Sequence, residues 1–308
     1  MSLALASALP QASAQGTVPS AARSLRIGYQ KGLLSILKGR GTLEKRLAPL
    51  GVRVDWAEFP SGPPQLEALN VGSIDFGDVG EAPPIFAQAA GAPFVYYGQT
   101  ARRPASEAVI VPKDSSVTSI AELKGKRIAL VKGSNTHFLL VRLLAAARID
   151  YSDVTPVWLS PSDARAALER KAVDAWAIWD PFLAVAQTTA GARIIADGTG
   201  LVANRAFYFT SRNYVQKNDD VLRIVLAEIG AVDKWIEANR DKAASEFSQL
   251  WGVQREIVEV ALGRLKYGTE PVSRETLADQ QRIADAFFEL KLLPKKINVA
   301  QAAPPSLG

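Results

Sequence analysis

The chain is 308 residues long, 48% hydrophobic and free of cysteine, which allows one large or two medium domains with real cores and excludes a disulfide frame, a thiolate metal site and a cysteine nucleophile. One histidine, His137, gives no basis for a histidine metal site or triad, and neither metal nor cofactor is expected. The net charge of +5 is dispersed, with Lys and Arg alternating with Asp and Glu along residues 231–246, so no basic tract for nucleic acid exists while small anions are favoured.

At the N-terminus, the apolar run 3–9 and the small-x-small triplet Ala12-Ser13-Ala14 read as the tail of an export signal without its basic segment. The plainer alternative is an Ala-Ser leader. Residues 1–23 are assigned to it, and the mature chain to the periplasm. Without a cysteine there is no lipid attachment point, and no later run offers the ~20 apolar residues of a membrane span.

Residues 25–29 predict a first strand ending at Gln30, residues 42–50 a helix, and residues 52–59 a half-buried strand by their period of two. The alternation continues with a helix at 64–71, a strand at 74–77, a helix at 83–90 and a strand at 93–98. The apolar stretch 108–111 precedes a fresh start at Ser119, which places a first crossover between lobes at residues 107–112. A second unit follows: the fresh start at 119–131, helix 136–147, strand 154–159, helix 161–170, strand 173–178, helix 181–190 and strand 192–196. A second crossover is expected at 204–209. From Asp219 onward the apolar spacing is helical, at 221–238, 240–251, 255–262 and 274–290, and the Ala-Pro-Pro-Ser tail is expected to be loose.

The two units echo each other. Ala68-Leu69-Asn70-Val71-Gly72-Ser73-Ile74-Asp75 returns as Ala167-Leu168-Glu169-Arg170-Lys171-Ala172-Val173-Asp174, each followed by a buried strand and a loop rich in Gly, Pro and aromatic residues. Chance similarity between two ordinary βαβ segments is the bland reading. A repeated supersecondary unit would instead build two α/β lobes whose strand-end loops converge on a ligand crevice, the form of a hinged solute trap.

Gly72-Ser73-Ile74-Asp75-Phe76-Gly77, Gly80-Glu81-Ala82-Pro83-Pro84, Leu123-Lys124-Gly125-Lys126-Arg127-Ile128, Gly133-Ser134 and Trp179-Asp180-Pro181 resemble the substrate-binding proteins of aliphatic-sulfonate importers, from Ser24 to about Leu293. Within the wider group that includes taurine, nitrate and pyrimidine-precursor binders, Gly28-Tyr29-Gln30 and Trp179-Asp180-Pro181 favour sulfonates. The resemblance implies a type II periplasmic binding protein: α/β, two lobes around a central cleft, a two-segment hinge, and delivery of ligand to an ABC permease. Lobe I takes residues 24–108 and 207–308, and lobe II residues 109–206. The expected molecule is a monomer that captures sulfonates as a sulfur source and catalyses nothing. A pyrimidine-synthase-like enzyme on this scaffold is the rival, set back by the scarcity of His and Cys. A transcription-regulator effector domain is a third reading, disfavoured because no helix-turn-helix precedes Leu25.

A sulfonate is a tetrahedral monoanion that only accepts hydrogen bonds, so helix N-termini with free N–H groups suit it. Gly80 and Glu81 before Pro83, and Gly133, Ser134, Asn135 and His137 at the next helix start, are candidates; helix capping is the alternative for Ser134 and Asn135, and packing for His137. Gln30 and Gln99 end strands where their amides could donate, or are turn residues. Trp179 and Phe207 are candidate walls for the organic tail, or core. Asp180 would orient donors or meet a ligand amine, and Glu81 would brace its loop. Arg102 and Arg103 either draw anions to the cleft mouth or are solvated surface charge.

Overall fold

The computed structural model describes residues 23–307. The leader expected over residues 1–23 therefore lies, apart from Arg23, outside the described residues. The first unit runs β1 (Arg23–Tyr29), α1 (Leu33–Arg40), α2 (Thr42–Leu47), β2 (Val52–Glu58), α3 (Gly62–Asn70), β3 (Phe76–Gly80), α4 (Pro83–Ala89) and β4 (Phe94–Thr100). The second runs β5 (Glu107–Val111), β6 (Arg127–Leu130), α5 (Asn135–Ala146), β7 (Thr155–Trp158), α6 (Pro161–Glu169), β8 (Ala175–Trp179), α7 (Phe182–Ala190) and β9 (Arg193–Asp197). The chain then returns through β10 (Ala206–Ser211), α8 (Arg212–Ala238), α9 (Arg240–Trp251), α10 (Arg255–Arg264), β11 (Thr269–Pro271) and α11 (Arg274–Glu289).

Two sheets result, ordered β11-β4-β10-β3-β1-β2 and β7-β6-β8-β5-β9. In the first, β1 is parallel to β2 and β3, while β10 lies antiparallel between β3 and β4. In the second, β6 is parallel to β7 and β8, and β5 is antiparallel to β8 and β9. Both sheets are covered on both faces, so inner strands bury residues on both sides: Phe207 and Phe209 of β10 face one core while Tyr208 faces the other, and in β5 Ala108 and Ile110 oppose Val109 and Val111.

The sequence echo is structural. In both copies the helix ends on a left-handed residue, Gly72 (φ 72°) or Lys171 (φ 55°), and the next N–H, of Ser73 or Ala172, returns 2.8 Å to the carbonyl of Ala68 or Ala167. The following aspartate then clasps the neighbouring strand. Asp75 donates its main-chain N–H to the Arg26 carbonyl at 2.7 Å and accepts the Arg26 N–H on its carboxylate at 2.9 Å, and Asp174 does the same with Arg127 at 2.8 and 2.7 Å.

Several expectations are corrected. The chain leaves the first sheet after Thr100 and enters the second at Glu107, so residues 107–112 are not a crossover but largely β5; likewise residues 206–209 belong to β10. The lobe bounds at 108/109 and 206/207 thus fall inside strands. The connecting segments are 101–106 and 198–205, where Asn204 turns the chain at φ 44°. Helix α1 was not expected, because it buries four consecutive residues, Leu34 to Leu37, and shows no amphipathic period. The C-terminal tail is docked: Ala302 and Pro304 are buried, Leu307 packs on the first-lobe core, and its carbonyl accepts from Arg274 at 2.9 Å.

Candidate functional site

The lobes meet around a cleft enclosing about 110 Å³. Two helices hold it together by serving both cores. α5 places Leu139, Leu140, Leu143 and Leu144 in the second-lobe core and Phe138 and Val141 against the first; α10 places Val258 and Leu262 in the first-lobe core and Ile257 and Ala261 against Ala184 of α7. The amphipathic surface of each is therefore split between two partners.

Three helix N-termini open on the cleft, represented among its lining residues by Gly32 before α1, Gly62 at the start of α3 and Asn135 at the start of α5. Their dipoles favour an anion, with first-turn N–H groups beside it at α1 and α5, whereas Pro63 and Pro64 leave α3 with fewer donors. Between the lobes stands Arg103, on the first connecting segment. Among the described residues, its guanidinium has no hydrogen-bond or ion-pair partner, while its charge offsets part of the upward push that burial gives the carboxyls of Asp78, Asp233 and Glu107. Trp179, Phe247, Trp251 and Tyr267 supply aromatic wall.

Acidic groups share the lining. Burial pushes Asp78 up to about 6, against the pull of Arg103, and one of its oxygens has no hydrogen-bond partner. Asp180 is also pushed up to about 6 by burial, moderated by Arg264, and caps α7 by accepting from the N–H of Ala184 at 3.0 Å.

Of the expected site residues, the structure brings Gln30, Gly80, Asn135, Trp179 and Asp180 to the cleft. Gln30 is not a free donor, since its amide nitrogen already reaches Gln65 at 3.2 Å and the carbonyl of Asp78 at 3.0 Å, tying β1 to β3. The other six do not line it. The hydroxyl of Ser134 turns inward and donates to the Val131 carbonyl at 2.8 Å; Gly133 makes a left-handed turn (φ 72°) against Phe86. His137 is fully buried, its Nδ1 accepting from the Gly133 N–H at 3.2 Å and its Nε2 paired with the Tyr151 hydroxyl at 2.9 Å, among Phe86, Trp158 and Phe287. Burial depresses its pKa to about 4. Gln99 donates to Glu270 at 2.8 Å, Phe207 packs edge-on to Tyr96 in the core, and Glu81 is buried behind the cleft wall.

The two alternatives for the basic pair divide between its members: Arg103 lines the cleft, whereas Arg102 is exposed and faces Asp279 at 3.7 Å. The pair splits because segment 101–106 crosses between lobes, so adjacent side chains face opposite sides. Asp78 and Asn204 were passed over. The alternation of β3 could have marked Asp78, as Phe76, Asp78 and Gly80 share one side of the strand.

Comparison with known proteins agrees with this architecture. Residues 50–238 match the family model described as NMT1/THI5 like. An Escherichia coli (strain K12) relative named for binding aliphatic sulfonates is 40% identical over 302 residues, 97% of this chain and 94% of its own length. The alkanesulfonate-binding protein SsuA from Xanthomonas axonopodis pv. citri, solved bound to MOPS, is 40% identical and superimposes with a TM-score of 0.87 over 91% of this chain and 98% of that one. The periplasmic aliphatic sulphonate binding protein SsuA from Escherichia coli is 40% identical, with a TM-score of 0.83 over 92% of each chain. The chain belongs to the NMT1/THI5-like family and, within it, to the aliphatic sulfonate-binding proteins.

Proposed function

We propose that this protein is the substrate-binding component of an ABC importer and captures aliphatic sulfonates between its lobes in the periplasm for hand-over to a membrane permease. The observation that carries the reading is Arg103: a guanidinium lining the same cleft as three helix N-termini, with no partner of its own among the described residues. A sulfonate oxygen pair matches its planar donors, while backbone N–H groups take the third oxygen. The aromatic wall suits an alkyl tail. No helix among the described residues is long and apolar enough to cross a membrane, which fits an exported receptor that depends on a separate permease.

The unpartnered oxygen of Asp78 favours a second reading within the same class, a sulfonate that also carries an amine or hydroxyl donor. Neither reading involves chemistry on the ligand. His137 is sealed in an aromatic cluster and does not line the cleft.

A thermal-shift series tests both. Butanesulfonate at a hundredfold excess over its Kd adds about 2.7 kcal/mol of stability, whereas pentanoate does not. Taurine stabilising more than ethanesulfonate supports the amine-bearing class. Stabilisation by nitrate or a pyrimidine, with none by any sulfonate, overturns the assignment.

A further inference from the structure

Behind the cleft floor, two carboxylates from different lobes are buried at the junction of both connecting segments. Glu81 follows β3 of the first lobe and is 2% exposed; Glu107 opens β5 of the second and is 0% exposed. Each has one oxygen without a hydrogen-bond partner. Glu107 uses its other oxygen to accept from Asn135, whose amide also reaches Asn204 at 3.2 Å, and both asparagines line the cleft. The main-chain N–H groups of Asn204 and Arg205 offset part of the effect of burial on Glu81. The groups that face them are few: Arg205 and, on α11, Asp279 toward Glu81; Arg103 and Asn135 toward Glu107.

Two buried carboxylates close enough for the charge of one to act on the other cannot both stay charged without cost, and their unpartnered oxygens leave that cost uncompensated. Burial pushes both upward, Glu81 to about 7, and the charge of Glu81 raises Glu107 further. Opening the lobes would separate the pair and let water solvate each anion. Since one carboxylate sits in each lobe beneath the anion site, its neutralisation and lobe closure favour each other.

We propose that Glu81 and Glu107 share one proton taken from solvent when the lobes close, so that sulfonate capture is linked to proton uptake at the hinge. The proposal rests on the sulfonate reading for its ligand, yet the two fail separately.

The test is calorimetry with butanesulfonate across pH, repeated in buffers of different ionisation enthalpy. Wild-type Kd should rise at least about fivefold from about pH 6 to about pH 8.5, with net proton uptake, because the linked proton is lost over that window. Glu107→Gln should flatten that dependence, and Glu81→Gln should do the same if the first variant fails to fold. A pH-independent Kd without proton uptake in the wild type overturns the proposal. So does an unchanged dependence in either variant, which would move the proton to Asp78, Asp180 or Asp233. Absence of butanesulfonate binding at every pH would instead sink the ligand assignment.

Discussion

Asp180, at the end of β8, holds the guanidinium of Arg264, at the end of α10, with contacts of 2.9 and 3.1 Å, and so joins the two lobes by an ion pair at the edge of the cleft. The side chains are only 5% and 17% exposed, which makes the loss of one partner costly. Arg264→Met should lower stability by about 3 kcal/mol near pH 8, as it leaves a buried carboxylate uncompensated. Asp180 has its pKa raised to about 6, so the favourable contribution of its neutral form is present at low pH and lost as pH rises through that value. The deficit of the variant should therefore shrink at about pH 5, which urea unfolding at the two pH values would show; an equal deficit at both would contradict the assignment of cost to Asp180.

The two aspartates of the repeat invite a paired comparison. Asp75 takes both the main-chain N–H and the Nε of Arg26 at 2.9 Å with 10% of its side chain exposed, whereas Asp174 is 33% exposed and its ionic contact with Arg127 is 3.6 Å. Asp75→Ala should cost roughly 2 to 3 kcal/mol and Asp174→Ala about 1, because solvent replaces the lost bonds more readily at the second site. Equal losses by denaturant unfolding would mean that the shared backbone clasp, rather than the arginine contact, sets the energy.

This repeat was legible because it is local: a helix end, a left-handed residue and an aspartate follow one another along the chain. So were the paired lobes, since two βαβ rhythms appear in order. The connecting segments were harder, because β5 and β10 are apolar on both faces, as any strand covered on both sides is, and nothing in their pattern tells which sheet they join. Site residues divided the same way. Asn135 and Trp179 sit at element ends that point to the cleft, whereas Ser134 and His137, beside Asn135, turn into the protein because helix geometry spreads successive side chains around the axis. Arg103 depended on which side of a connector it faces, a tertiary matter.

His137 gives an acid-side prediction. Its pKa falls from 6.5 to about 4 through burial, so its neutral form contributes stability that is present above about 6.5 and lost as pH falls through about 4. The loss is on the order of 3 kcal/mol, and His137→Gln, which keeps an acceptor for Gly133 and a donor for Tyr151 without titrating, should flatten that limb. An unchanged acid limb in the variant, followed by near-ultraviolet dichroism, would move the cause elsewhere.

Arg103→Gln should weaken butanesulfonate binding by about 1.5 to 3 kcal/mol, the range for a hydrogen bond to a charged partner, with a smaller change in ligand-free stability because the guanidinium supports no protein contact of its own. Ser134→Ala is the contrast: its hydroxyl serves Val131 and Thr136, so stability should drop while affinity holds. The reverse pattern by calorimetry would return the ligand to the start of α5 and remove it from Arg103.

Gly80 marks a close approach between the lobes at the cleft. A Cβ added there would stand 2.9 Å from Cβ and 3.0 Å from Cγ of Asn135, closer than carbon atoms pack, and neither neighbour is the free end of a flexible chain, since Asn135 is held by Glu107 and Asn204. Within its own lobe Gly80 needs no special backbone angle, so alanine is compatible with β3 and the fold of each lobe should persist. Closure is what the methyl group opposes. Because a ligand shifts the lobes only by its preference for the closed arrangement, Gly80→Ala should lower butanesulfonate affinity at least about tenfold, an expectation set by the ~1.4 kcal/mol of strain that corresponds to that factor. Small-angle scattering should show the wild type contracting when saturated with butanesulfonate and the variant keeping a larger radius of gyration. A variant that closes and binds like the wild type would show that the lobes can shift past Asn135, and the contact with Gly80 would then have no part in setting the closed state.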